Sequence, residues 1–226
     1  MRLNRVSAVA SVLYASAGIA WILLARAPWP FAAWLVIVAV AGAFVPGEAN
    51  QVSLARAYLA APAAEYAVHD QFGALAIVVA LAGVTDLLDG TVARRFKSAT
   101  NFGGGLDPVV DGLFAAALAF GLAEGGVFPV WLAVVVAARY FLPAIAGGVL
   151  LAMGRRPELR HTLTGQVSTV LNLVLLGGVA LLRGLSQDPG NLVAGAEIVL
   201  PIAAVATFVH LAYAAWRRPA AATGAA

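Results

Sequence analysis

Four aspartates stand out in an oily chain: Asp86 and Asp89, three residues apart, then Asp107 and Asp111, four apart. Residues at these spacings share one face of a helix, so each pair projects both carboxylates the same way. Four carboxylates converging where the dielectric is low repel one another. A divalent cation resolves that conflict, because hard metals such as Mg²⁺ take oxygen ligands and commonly hold a phosphate as well. Between the two pairs lie Arg94, Arg95 and Lys97, followed by Gly103, Gly104 and Gly105. Clustered acids with cations beside them suit a metal-bound, phosphate-bearing substrate. Gly90, Ala93 and Gly103 would allow close helix packing, or let a flat group lie against the backbone.

The elements that must position these residues are membrane helices. The chain is 62% hydrophobic and 11% charged, with a mean hydropathy of +0.90; soluble domains run to about 45–50% apolar and roughly 25% charged. An all-α integral membrane protein follows. Apolar runs approach the ~20 residues needed to span a bilayer at 7–25, 30–46, 51–68, 72–93, 105–123, 127–152, 162–183 and 193–216. The run at 51–68 is interrupted by Arg56 and Glu65. Pro28, Pro30 and Pro46-Gly47 punctuate an N-terminal two-helix hairpin over 1–47 whose apolar runs carry no charge, a packing or anchoring element. A six-helix catalytic membrane domain is expected over 48–218, with a disordered Ala-rich tail at 219–226. Arg2, Arg5 and the apolar run before Ala27 loosely imitate a secretory signal, but the run is long for one, and a retained span is expected.

Charge and cysteine usage narrow the class. With no cysteine, disulfides, thiolate nucleophiles and Cys-ligated zinc are excluded. The net charge of +3 does not point to nucleic acid. With the N-terminus in the cytoplasm, eight spans put Arg2, Arg5, Arg56, Arg94, Arg95, Lys97, Arg155, Arg156, Arg160, Arg217 and Arg218 at cytoplasmic ends, and Arg26 and Arg183 outside. The positive-inside rule predicts that asymmetry, and attraction to anionic lipid headgroups is a second use for it. The expected location is therefore the cell membrane, with the acidic segment at the cytoplasmic rim.

Read in full, Asp86 to Asp111 resembles the signature of the CDP-alcohol phosphotransferases of phospholipid synthesis, D-x2-D-G-x2-A-R-x8-G-x3-D-x3-D. Asp86, Asp89, Gly90, Ala93, Arg94, Gly103, Asp107 and Asp111 match every fixed position and interval. Upstream, Asn50, Ser53 and Arg56 resemble the N-x2-[ST]-x2-R that opens the family's first core helix. The resemblance covers residues 50–216 as a six-helix core, with the hairpin outside it. It implies two divalent cations, Mg²⁺ or Mn²⁺, held by Asp86, Asp89, Asp107 and Asp111, gripping the diphosphate of CDP-diacylglycerol or a related CDP-alcohol. It further implies Asp111 as general base toward a small alcohol acceptor, Arg94 on the diphosphate, and Gly90, Ala93 and Gly103 lining a cytidine pocket. Family members are commonly homodimers.

The acceptor is less legible. Asp107-Pro108 and the segment Thr164 to Thr169 are similar to those of the phosphatidylglycerophosphate and cardiolipin synthase branch, pointing to glycerol 3-phosphate. Two residues depart from that branch: Gln166 stands where lysine is usual, and Gly112 follows Asp111 where lysine is frequent. Inositol phosphate, serine or another alcohol are the alternatives. An acceptor bearing a phosphate needs a further cation, and Arg139, costly inside a span unless it faces a partner or cavity, is the expected one; a structural pairing with Glu65 or an aspartate is the other reading. His69, His161 and His210 are scattered and read as interfacial or packed. A reading from another class, a divalent-cation transporter, predicts acids spread through the membrane depth; the four aspartates instead cluster at one end.

Overall fold

The computed structural model describes residues 5–96, 103–152 and 163–216. Within these, eight helices follow one another: α1 Arg5–Ala25, α2 Trp29–Ala43, α3 Glu48–Val68, α4 Phe72–Phe96, α5 Gly103–Glu124, α6 Val130–Ala152, α7 Leu163–Gly184 and α8 Gly190–Trp216. Each overlaps an expected span. A chain this apolar must satisfy its backbone polar groups internally once in lipid, and the helix does so segment by segment. Large apolar side chains lie exposed along the outside, among them Leu24, Ile37, Ile145, Ile198 and Val205. Such a surface would drive aggregation in water; against acyl chains it costs nothing, and the protein is a multi-pass membrane protein.

Five helices among the described residues are long and apolar enough to cross a bilayer unaided: α1, α5, α6, α7 and α8. The other three depart for identifiable reasons. Helix α2 has only 15 residues, and the unbroken stretch of α4 with described side chains, Phe72–Asp86, is also short. Helix α3 is the polar one, and it is sheltered: Asn50, Gln51, Ser53 and Arg56 are all buried, alongside Ala57, Ala60, Ala61, Ala63 and Ala67. A helix surrounded by others needs no lipid-compatible face.

Small residues let α5 lie directly on α3. A Cβ on Gly121 would come within 2.9 Å of the Ala64 carbonyl oxygen, and one on Gly125 within 2.6 Å of the Ala67 carbonyl oxygen. This is the small-xxx-small spacing that brings membrane helices into backbone contact. The main apolar core gathers Ala63, Ala67, Leu75, Leu118, Leu122, Leu132, Val136, Leu176, Val179 and Leu200, from α3 to α8. A second cluster joins the hairpin to α3 and α5 through Leu35, Val38, Leu54, Ala57, Tyr58 and Val110.

Helix α3 starts from a defined turn. Gly47 takes φ 95°, a left-handed value that favours glycine, and Glu48 then places a carboxylate in the positive first turn. Asn50 Nδ2 donates to the Pro46 carbonyl at 2.6 Å, and Gln51 Nε2 donates to the Gly42 and Val45 carbonyls at 2.9 and 2.8 Å. These bonds fix the height at which Arg56, two turns on, enters the bundle.

Candidate active site

Asn50, Ser53 and Arg56 recur every three residues along α3, so they fall near one stripe of the helix. Arg56 is 4% exposed. Its Nη1 donates to Asp86 Oδ1 on α4 and lies 2.6 Å from Asp111 Oδ1 on α5. One buried guanidinium thus draws together two carboxylates 25 positions apart in the chain. The two acids differ in surroundings: the Asp86 side chain is 51% exposed and that of Asp111 18%. Asp86 faces the open end of the site, and Asp111 lies deeper.

Asp107 stands one turn before Asp111 on α5, and its Oδ1 is buried without a hydrogen-bond partner among the described residues. A buried carboxylate oxygen lacking a donor is costly, and a cation would satisfy it. Among the described residues, which leave out the Asp89 side chain, no three acidic or histidine side chains close into a metal cage. Asp89, Gly90, Ala93 and Arg94 lie on the last turns of α4, and Gly103 opens α5. The side chains of Asp89, Ala93 and Arg94 lie outside the described part, as do Lys97, Arg155, Arg156, Arg160 and His161. By donor type, hard carboxylate oxygens from Asp86, Asp107 and Asp111 fit Mg²⁺ or Mn²⁺.

Below the carboxylates a narrow cleft runs into the bundle, lined by Arg56, Asp86 and Asp111 at its polar part, with Tyr140 and Thr169 beside them and Phe114, Leu118, Leu173 and Leu176 further in. The lining follows helix period: Asp111, Phe114, Ala115 and Leu118 share one face of α5, while Thr169, Leu173 and Leu176 share one face of α7. A polar part continuous with an apolar one suits an amphiphilic molecule better than a free ion.

Arg139 is 5% exposed and donates from Nη2 to Thr169 Oγ1 at 3.1 Å. It does not line the cleft itself; Thr169 and its own neighbour Tyr140 do. The expected pairing partner Glu65 instead meets His69, 3.4 Å away and one turn along α3. Asn172 Nδ2 lies 3.4 Å from the Tyr140 hydroxyl, extending the polar wall. Gly112 explains a departure noted in the sequence: a Cβ there would lie 2.6 Å from Tyr140 Cβ. Lysine at 112 has no room against α6.

Two residues of this site escaped the sequence reading. Arg56 was expected as a topological charge and a helix signature, yet it touches both carboxylate groups. The available signal was an arginine inside an apolar run three and six residues after polar neighbours. Tyr140 carried no signal beyond adjacency to Arg139.

Comparison with known proteins adds an independent line. A family model described as CDP-alcohol phosphatidyltransferase matches residues 48–215. A cardiolipin synthase (CMP-forming) of Streptomyces coelicolor is 37% identical over 81 residues, 36% of this chain and 38% of that protein. A CDP-diacylglycerol–glycerol-3-phosphate 3-phosphatidyltransferase of Bacillus subtilis is 30% identical over 106 residues, covering 47% of this chain and 54% of that one. One of the same description from Sodalis glossinidius is 34% identical over 137 residues, 59% of this chain and 71% of that protein. The matched part thus spans from under two fifths to about seven tenths of these relatives. No solved structure matches the chain.

Proposed function

The chain belongs to the CDP-alcohol phosphatidyltransferase family, and from that premise we propose that it moves a phosphatidyl group from CDP-diacylglycerol to an alcohol, releasing CMP. The observation that carries the reading is the convergence of Asp86 and Asp111 on buried Arg56, above a cleft that is polar at one part and apolar at the other. A CDP-linked lipid has that same division: a charged nucleotide diphosphate and an apolar tail.

Divalent cations, two in the family and either Mg²⁺ or Mn²⁺, supply charge neutralisation on the diphosphate when bound. Asp86, Asp89, Asp107 and Asp111 are the residues that would hold them. The chain's own groups do the rest. Asp111 accepts the proton of the acceptor hydroxyl as its oxygen bonds to the lipid-side phosphorus and the bond to CMP breaks. Arg56, paired with the Asp111 carboxylate, fixes the position of the group that takes that proton. Arg94 grips the diphosphate, a geometry a guanidinium matches. Gly90, Ala93 and Gly103 leave space for the cytidine. Thr169, held by Arg139, presents a hydroxyl on the wall opposite, where an acceptor phosphate would lie.

Glycerol 3-phosphate is the proposed acceptor, in keeping with the names of two of the relatives; phosphatidylglycerol, inositol phosphate, serine or another alcohol are the alternatives. The site is proposed to lie at the cytoplasmic face of the cell membrane, a reading the distribution of basic residues supports, and the protein is proposed to act as a homodimer, as its family commonly does. The test is CMP release by purified protein given CDP-diacylglycerol, Mg²⁺ or Mn²⁺, and each acceptor in turn. Release with glycerol 3-phosphate at least tenfold above the other acceptors supports the assignment. Release with another acceptor alone replaces it, and no release with any overturns the enzyme reading.

A further inference from the structure

We infer that the N-terminal hairpin is a positioning element of the active site, holding the Arg56 turn of α3 in place through Trp34. The inference rests on the proposed role of Arg56 and goes beyond it, since the family match begins at residue 48 and assigns nothing to α1 or α2. An anchoring hairpin needs only apolar contact with the bundle. This one is hydrogen-bonded along α3: Tyr14 donates its hydroxyl to the Gln51 carbonyl at 2.9 Å, Trp34 Nε1 donates to the Ala57 carbonyl at 2.9 Å, and Trp21 Nε1 donates to the Tyr66 hydroxyl at 2.8 Å.

The Trp34 bond falls where α3 is weakest. Pro62 lies inside the helix; it has no N–H for the Tyr58 carbonyl, and its ring crowds that carbonyl. In lipid, such a gap is tolerated where a neighbouring helix supplies the support. The indole of Trp34 binds the carbonyl next to Tyr58, on the residue that follows Arg56. Behind it, Leu35 and Val38 of α2 pack with Leu54, Ala57 and Tyr58 of α3 and with Val110 of α5, which is 1% exposed and immediately precedes Asp111. The hairpin therefore backs both the arginine and the carboxylate it pairs with. Trp34 acts through Ala57 and Arg56, without touching substrate.

The test compares Trp34→Phe with Trp21→Phe, each removing one indole donor from the same hairpin, one beside Arg56 and one near the far end of α3. Trp34→Phe is expected to lower kcat for CMP release about tenfold with KM for CDP-diacylglycerol within twofold, while Trp21→Phe keeps kcat within twofold. Both should lower the melting temperature comparably. Pro62→Ala, which returns an N–H to α3, should bring Trp34→Phe back to within threefold of its own single-variant rate. Hydrogen exchange without substrate gives a readout free of catalysis: Trp34→Phe should speed exchange of the 54–61 amides at least fivefold, leaving α8 unchanged. Equal loss of kcat in both tryptophan variants, or unchanged exchange over 54–61, overturns the inference. A wild-type protein that releases no CMP defeats the proposed function, and exchange alone then decides the role of the hairpin.

Discussion

Removing Arg56 tests the site most directly. The guanidinium is buried and shared between two carboxylates of unequal exposure. Its pairing with half-exposed Asp86 is screened and contributes well under about 1 kcal/mol. Its bond to Asp111, mostly sheltered, belongs with buried charged hydrogen bonds, each contributing about 1.5–3 kcal/mol. Arg56→Ala is therefore expected to cost about 2 kcal/mol of stability, more of it through Asp111 than through Asp86. Turnover should fall further, about 100-fold, a loss typical of removing one preorganised charged donor from an active site. Arg56→Lys keeps the charge but not the planar fork, and should recover only part of that loss. The assay is CMP release in detergent micelles over a Mg²⁺ titration, with thermal unfolding alongside. A mere counter-charge could be replaced by added metal, so turnover would return at high Mg²⁺. If Arg56 places Asp111, it will not. Wild-type turnover in Arg56→Ala, or full rescue by Mg²⁺, refutes the placement argument.

Other perturbations read separate parts of the site. Asp111→Asn should retain metal-dependent CDP binding while losing turnover by 100-fold or more, in the range of general-base removal; retained turnover would dismiss it as the base. Asp107→Asn should weaken Mn²⁺ binding measured calorimetrically by about tenfold, since its orphan oxygen loses its charge, and unchanged affinity would remove it from the ligand set. Gly121→Leu places a side chain against the Ala64 carbonyl, and overpacking of this kind costs about 1–3 kcal/mol, visible as a lower melting temperature; an unshifted transition would mean that α3 and α5 can separate.

Much of this architecture was legible because lipid leaves few options. Apolar length predicted all eight helices to within a few residues at most ends, and the punctuation at Pro28 and Pro46-Gly47 located the hairpin. The aspartate spacing marked the segment for a candidate site, since i, i+3 and i, i+4 fix a shared face whatever the tertiary fold. What spacing cannot give is which helices meet. Arg56 lies 30 positions before Asp86 and 55 before Asp111; only the packing of α3 between α4 and α5 brings them together, and that packing depends on glycines such as Gly121 and Gly125 whose sequence signal is generic. The same holds for Arg139. Its burial cost predicted a partner, and Thr169 on α7 is one, while Glu65, the carboxylate named for it, lies against His69.

The arginine also bears on whether this could be a path for cations. A conducting or transporting site needs acids at successive depths, each open enough to pass the ion on. Here the cleft below Asp111 is walled by Phe114, Leu118, Leu173 and Leu176, and the acid Glu65 is engaged with His69 at the C-terminal end of α3. A divalent ion leaving the aspartates inward would pass the Arg56 guanidinium and then meet hydrocarbon. Both raise its energy, the first by like charge and the second by desolvation. An apolar tail meets neither obstacle. Protein-containing liposomes loaded with a Mn²⁺-quenched dye should therefore show no flux above empty ones, while the same preparation releases CMP; flux without CMP would reverse the assignment.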